Sequence, residues 1–194
     1  MRRTAADAEI TRLEILSEAR SSFAEAGYAG TQPAEVAERC GVTRGAVYHH
    51  FGSKAGLFEA VLIELSEELD AAVTAAAGKA PDTRSALEEG ARACIKFMGK
   101  SEYRQIVIED GPAVVGLQRW YEIDRSIGLG NMELALALLE SEGQLAVAAS
   151  AGLARGLFGA LTELGLAYSR SELKLEEATD SFVQLIHQLG VRSG

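Results

Sequence analysis

Apolar side chains recur every three to four residues from one end of this 194-residue chain to the other. No stretch alternates apolar and polar with β-branched enrichment, so the pattern calls for helices and excludes a sheet. Ile10, Leu13, Leu16, Ala19 and Phe23 form a stripe that stops at Gly27, a residue able to end a helix in the left-handed region. Pro33 opens a short helix reaching Cys40, with Glu35 near its positive end; Gly41 turns the chain. Thr43 caps the next helix, which ends at Gly52. Ser53 caps a long helix to about Ala77, with Leu57, Val61, Leu65 and Leu69 on one face, and 78–82 is a turn suited to a hinge. Further helices are expected over 83–99, 102–110, 113–141, 145–169 and 171–190, which makes an all-α fold of about nine helices.

Charge is unevenly shared. The chain carries −9 overall, yet residues 1–54 hold seven basic and seven acidic side chains, while 55–194 hold twelve and twenty-one. Only the first quarter escapes repulsion by a polyanion, so any nucleic-acid contact belongs there. Cys40 and Cys94 form no CxxC pair, which speaks against a disulfide framework and a thiolate metal site. The first residues lack the apolar core of a signal peptide, and the longest uncharged run, 143–154, is too short to span a bilayer. A cytoplasmic, soluble protein is expected, with no membrane association.

The segment from Thr31 to Phe51 reads as two short helices joined by Cys40-Gly41-Val42-Thr43, a helix-turn-helix (about 31–50) whose second helix can enter a DNA major groove. Val47, His50 and Phe51 share a face suited to packing against Leu16, Phe23, Val36 and Ala37. Arg44 with Tyr48, and Gly45 with His49, form outward pairs. Arginine can read a guanine edge, glycine permits close backbone approach, and the hydroxyls of Thr43 and Tyr48 can hold phosphates, as can Lys54 at the next helix start. By pattern alone, a glycine-turned helix pair also occurs in proteins that bind no DNA.

The run GVTRGAVYHHFGSKAGLF (41–58), with AEAGYAGT (24–31) and EVAER (35–39) upstream, resembles the amino-terminal domain of the TetR family of bacterial transcriptional regulators. The likeness covers about residues 10–62. It implies a homodimer with two reading heads on double-stranded DNA bearing a palindromic operator, an all-α body that binds a small-molecule effector, and repression relieved by that effector. Carried over by position, Thr43, Tyr48 and Lys54 match phosphate contacts, and Arg44, Gly45 and His49 match base-reading or backbone-contacting positions. Thr31 and Gln32 fall at the start of the second helix. Gln32 departs from the family's Ser or Thr cap, leaving Thr31 as the alternative cap, and Ala34 replaces a polar or basic residue.

The same resemblance divides the chain into a DNA-binding domain, 1–54, and an effector-binding and dimerisation domain, 55–194. It places an effector site among the middle helices, where Phe97, Met98, Tyr103, Val107, Asp110, Trp120, Tyr121 and Arg125 combine aromatics with charges. It also implies a dimer interface on the last two helices, with Gly152, Gly156, Gly159, Leu185 and Leu189 as its candidates; small residues every turn let helices approach closely. Packing of these glycines within one subunit is the alternative.

Catalysis finds no footing. There is no GxSxG, GxxxxGK[ST] or HExxH, and Gly128-Leu-Gly130 lacks the third glycine of a dinucleotide turn. His49, His50 and Cys40 lie within the reading head, Glu109 and Asp110 point to different helix faces, and no metal or other cofactor is expected. Two other readings stay open: a regulator governed by a protein partner or by no ligand, and a small-molecule-binding helical protein whose DNA-binding head is vestigial.

Overall fold

A computed structural model describes residues 5–190, and these form nine helices. They are α1 (Ala5–Gly30, broken at Gly27), α2 (Pro33–Arg39), α3 (Arg44–Phe51), α4 (Lys54–Ala77) and α5 (Thr83–Met98). Then α6 runs through Ser101–Tyr103, a π-helical stretch Arg104–Asp110 and Gly111–Val115. The last three are α7 (Leu117–Ser141), α8 (Ala151–Ser169) and α9 (Leu175–Gln188). The described residues contain no strand beyond one isolated bridge between Leu145 and Gly190.

Punctuation follows the expected chemistry at most ends. Gly27 takes φ 67°, and Gly52 closes α3 at φ 74°. The side chains of Thr43, Ser53 and Asp82 accept hydrogen bonds from the amides of Ala46, Gly56 and Ser85 at the starts of α3, α4 and α5.

Several expectations change. On α1 the buried face runs through Thr11, Ile15, Leu16, Ala19 and Phe23, whereas Ile10 and Leu13 are exposed. Steps of three residues drift about 60° each on a helix of 3.6 residues per turn, which carries Leu13 and Ile10 off the face. The expected 113–141 helix begins at Leu117, because Gly116 at φ 84° interrupts it. Residues 145–150 are not helical; Ala146 donates to the Leu189 carbonyl, and Ser150 caps α8 at Leu153. The last helix starts at Leu175 instead of 171.

The chain packs as two compact units, Met1–Leu65 with Ser101–Trp120, and Ser66–Lys100 with Tyr121–Gly194. Packing therefore divides within α4, not at the 78–82 turn. In the first unit Phe23, Phe58 and Tyr28 meet ring to ring, with Phe23 and Phe58 edge-on at 5.1 Å, above fully buried Ile15, Leu57, Val61 and Leu65. Half-buried Arg20 forms a two-pronged pair with Glu102, its Nε and Nη2 donating over 3.0 and 2.8 Å, which ties α6 to α1. In the second unit α5, α7, α8 and α9 surround Ile95, Leu136, Leu139, Leu157, Phe182 and Ile186.

Candidate nucleic-acid interface

The reading head is built by α2 and α3. Pro33 starts α2 where its missing N–H costs nothing, and Gly41 at φ 65° turns the chain after Cys40. Val36, Ala37 and Val47 are buried and hold the two helices together, with His50 and Phe51 partly buried beside them. On the opposite side of α3, Arg44, Gly45 and His49 are exposed and Tyr48 is half-exposed. A Cβ added at Gly45 would come no nearer than 3.7 Å to any neighbour, so the helix presents bare backbone there.

Local contacts hold these side chains in place. Arg44 Nη2 donates to the Tyr48 hydroxyl over 3.2 Å. Thr43 already accepts a cap bond from Ala46, which leaves its hydroxyl hydrogen available to a phosphate. Lys54 Nζ lies 4.4 Å from the Tyr28 ring centroid and 3.5 Å from the Ala29 carbonyl, so a cation is fixed at the start of α4.

Thr31 and Gln32 fare differently. Thr31 is 3% exposed, and its hydroxyl donates to the Gly27 carbonyl over 2.9 Å. It neither caps α2 nor reaches the outer face, contrary to the role its position in the sequence suggests. Gln32 occupies the cap position with an exposed side chain that makes no cap bond.

The eight body residues expected at an effector site divide between the two units. In the first, Tyr103 and Val107 are buried, Asp110 accepts from the Tyr28 amide over 2.7 Å, and Trp120 Nε1 donates to the Val107 carbonyl over 2.6 Å. In the second, Phe97 and Met98 are buried; Lys100 Nζ sits 3.6 Å from the Phe97 ring centroid, and Met98 fills the space left by the missing Cβ of Gly165. Arg125 lies over the ring of exposed Tyr121 at 5.1 Å. Asp124, whose charged neighbours in sequence suggest a solvated carboxylate, is instead a group that burial pushes up to about 6, with the neighbouring Arg125 opposing the shift. Arg119 Nε donates to the Glu59 carboxylate over 2.7 Å, both side chains partly exposed.

On α8, a Cβ added at Gly156 or Gly159 would meet nothing within 4 Å, and at Gly152 only Ser150 Oγ at 3.9 Å. These three glycines pack against no other described residue, whereas Gly165 does, against Met98. A shallow groove between α8 and α9 is lined by Ala160, Leu164, Gln184 and Leu185, and Leu189 lies partly buried just past α9. Among the described residues no three His, Cys, Asp or Glu side chains are grouped to hold a metal, and no helix is long and apolar enough to cross a membrane.

Comparison with known proteins places this geometry. Residues 15–61 match the family model of bacterial regulatory proteins, tetR family, and 84–189 match that of the tetracyclin repressor-like C-terminal domain. The HTH-type transcriptional regulator TtgR of Pseudomonas putida is 46% identical over 70 residues, 36% of this chain and 33% of that protein; the chain thus spans about a third of the curated relative it matches. A TetR-family transcriptional regulator from Pectobacterium atrosepticum superposes with a TM-score of 0.81 at 29% identity, over 99% of this chain and 100% of the other. A SmeT–triclosan complex shares the fold at a TM-score of 0.70 and 22% identity, over 95% of this chain and 93% of the other.

Proposed function

The chain belongs to the TetR family of bacterial regulatory proteins, and from that premise we propose that it is a homodimeric repressor released from a palindromic operator by a small-molecule effector. The observation that carries this reading is the α3 face. Arg44, Gly45 and His49 are exposed on a helix anchored from behind by buried Val47, in the one part of the chain without net negative charge. Arg44 and His49 read base edges, Gly45 lets the backbone close on the groove, and Thr43, Tyr48 and Lys54 hold phosphates. Gln32, exposed at the start of α2, adds a polar contact to the adjoining backbone.

Two such heads about 34–36 Å apart enter successive major grooves. The open glycines of α8, with Leu185 and Leu189, support an interface between copies on the last two helices, as a four-helix contact. Residues 1–54 then serve as reader and 55–194 as dimerisation and effector-binding body. The SmeT–triclosan complex, of the same fold, supports a small-molecule effector for the body. An effector that binds better to a dimer whose heads no longer match the groove spacing lowers DNA affinity by that difference.

The test is a titration of duplex DNA between 50 and 200 mM salt, read by fluorescence anisotropy. Affinity should fall steeply with salt, and Lys54→Ala should reduce the slope of log K against log salt by about 1. A slope that Lys54→Ala leaves unchanged, together with an affinity that Tyr48→Phe leaves unchanged, would remove the α3–α4 face from the interface.

A further inference from the structure

The π-helical stretch of α6 leaves one carbonyl without its helical donor. In that register each carbonyl is met by the amide five residues on, and for Val107 that residue is Pro112, which has no N–H. The indole of Trp120 supplies the missing donor, 2.6 Å from the Val107 oxygen. It reaches that position because Gly111 lacks a side chain; a Cβ there would stand 2.9 Å from Trp120 Cδ1 and 3.1 Å from Leu62.

The π stretch ends at Asp110, whose Oδ2 accepts from the Tyr28 amide over 2.7 Å and from Gln105 Nε2 over 3.1 Å. Tyr28 follows the break in α1 at Gly27, where a Cβ would sit 3.3 Å from both Asp110 and Gln105. The carboxylate thus satisfies an amide that the break deprives of a helical partner, three residues before Thr31 and the start of the reading head.

We propose that Trp120 and Asp110 are positioning residues of a register relay: the indole–Val107 bond holds α6 in its π register, and that register sets the Asp110 carboxylate on the Tyr28 amide at the entrance to the helix-turn-helix. Relaxing the stretch to ordinary α-helical pairing turns Asp110 by about 100° and withdraws it from Tyr28. A ligand bearing a hydrogen-bond acceptor that claims the indole N–H releases the same latch. That trigger rests on the effector-responsive reading above. The relay itself does not, and is tested without DNA or effector.

Amide hydrogen exchange by NMR on the intact chain reads it directly, comparing the wild type with Asp110→Ala and Trp120→Phe, a ring of related shape without the N–H. Both variants should speed exchange of the Tyr28 amide by about fivefold or more, while the Phe23 amide, mid-way along α1, keeps its protection. An unchanged Tyr28 amide in Trp120→Phe overturns the relay, as does an unchanged one in Asp110→Ala. Equal acceleration at Tyr28 and Phe23 marks general loosening and overturns it too. Loss of DNA binding in some other assay would bear on the regulator reading and leave this result standing.

Discussion

Arg44 donates from Nη2 to the phenolic oxygen of Tyr48 one turn along α3, with its guanidinium carbon 5.2 Å from the ring centroid. The pair is exposed, so it adds little stability, but it holds a long, flexible side chain in place before DNA arrives.

The two side chains are expected to separate by role. Tyr48→Phe should weaken operator and random DNA alike, since it removes a phosphate donor while its ring stays beneath the Arg44 guanidinium. Arg44→Ala should cost about 1–3 kcal/mol on the operator and relax base preference at one position of each half-site. Anisotropy titrations against single-base operator variants decide this. Equal losses on all sequences for Arg44→Ala would make it a phosphate clamp.

Two glycines, Gly45 on α3 and Gly56 on α4, should respond oppositely. A Cβ at Gly56 would collide with the Phe51 backbone carbonyl, which cannot swing aside as a side chain can. Gly56→Ala should therefore lose about 1–3 kcal/mol of stability. At Gly45 there is room, so Gly45→Ala should hold or gain about 0.5–1 kcal/mol through helix propensity while weakening DNA binding. Denaturant unfolding of both variants checks the stability signs.

Most of the helices are legible in the sequence because apolar spacing and the caps Thr43 and Ser53 speak locally. The outward face of α3 was legible for the same reason, since Val47 fixes its rotation. What escaped depends on distant partners. The π register of α6 needs Pro112 and Trp120 together, and Asp110, which looks like a ligand group in sequence, is held by an amide 82 positions away. Thr31 looked like a cap until the Gly27 carbonyl came within reach of its hydroxyl. Residues 145–150 continue the apolar run of α8, yet Leu145 bridges Gly190 and Ala146 donates to Leu189, and the stretch is not helical.

Asp124 supplies a pH dependence of known sign. Burial raises its carboxyl from the usual 3.8 to about 6 in the folded chain, so the native state binds the proton more tightly than the unfolded state. Its contribution to stability is therefore full below pH about 4 and is lost as pH rises through about 6, a difference of at most about 3 kcal/mol. Asp124→Asn should raise the melting temperature at pH 7.5 and match the wild type near pH 4.5 more closely. A variant less stable than the wild type at pH 7.5, with the gap closing towards pH 4, would show that the carboxylate holds a partner instead.

The open face of α8 makes a prediction about assembly. Gly156→Leu adds a side chain where nothing lies within 4 Å in one chain, so helix content should be retained. If two copies pack there, sedimentation velocity should shift from dimer towards monomer at micromolar concentration. A dimer of undiminished affinity would place the interface elsewhere.

The central claim, that α3 reads DNA as one of a symmetric pair, is tested most directly by selecting randomised duplexes with the purified chain against excess competitor and sequencing the survivors. The account predicts a palindrome whose half-sites are centred about ten base pairs apart, one helical turn, and its loss in Arg44→Ala. Recovery of no enriched sequence at 50–100 mM salt, or of an asymmetric site indifferent to Arg44, would contradict it.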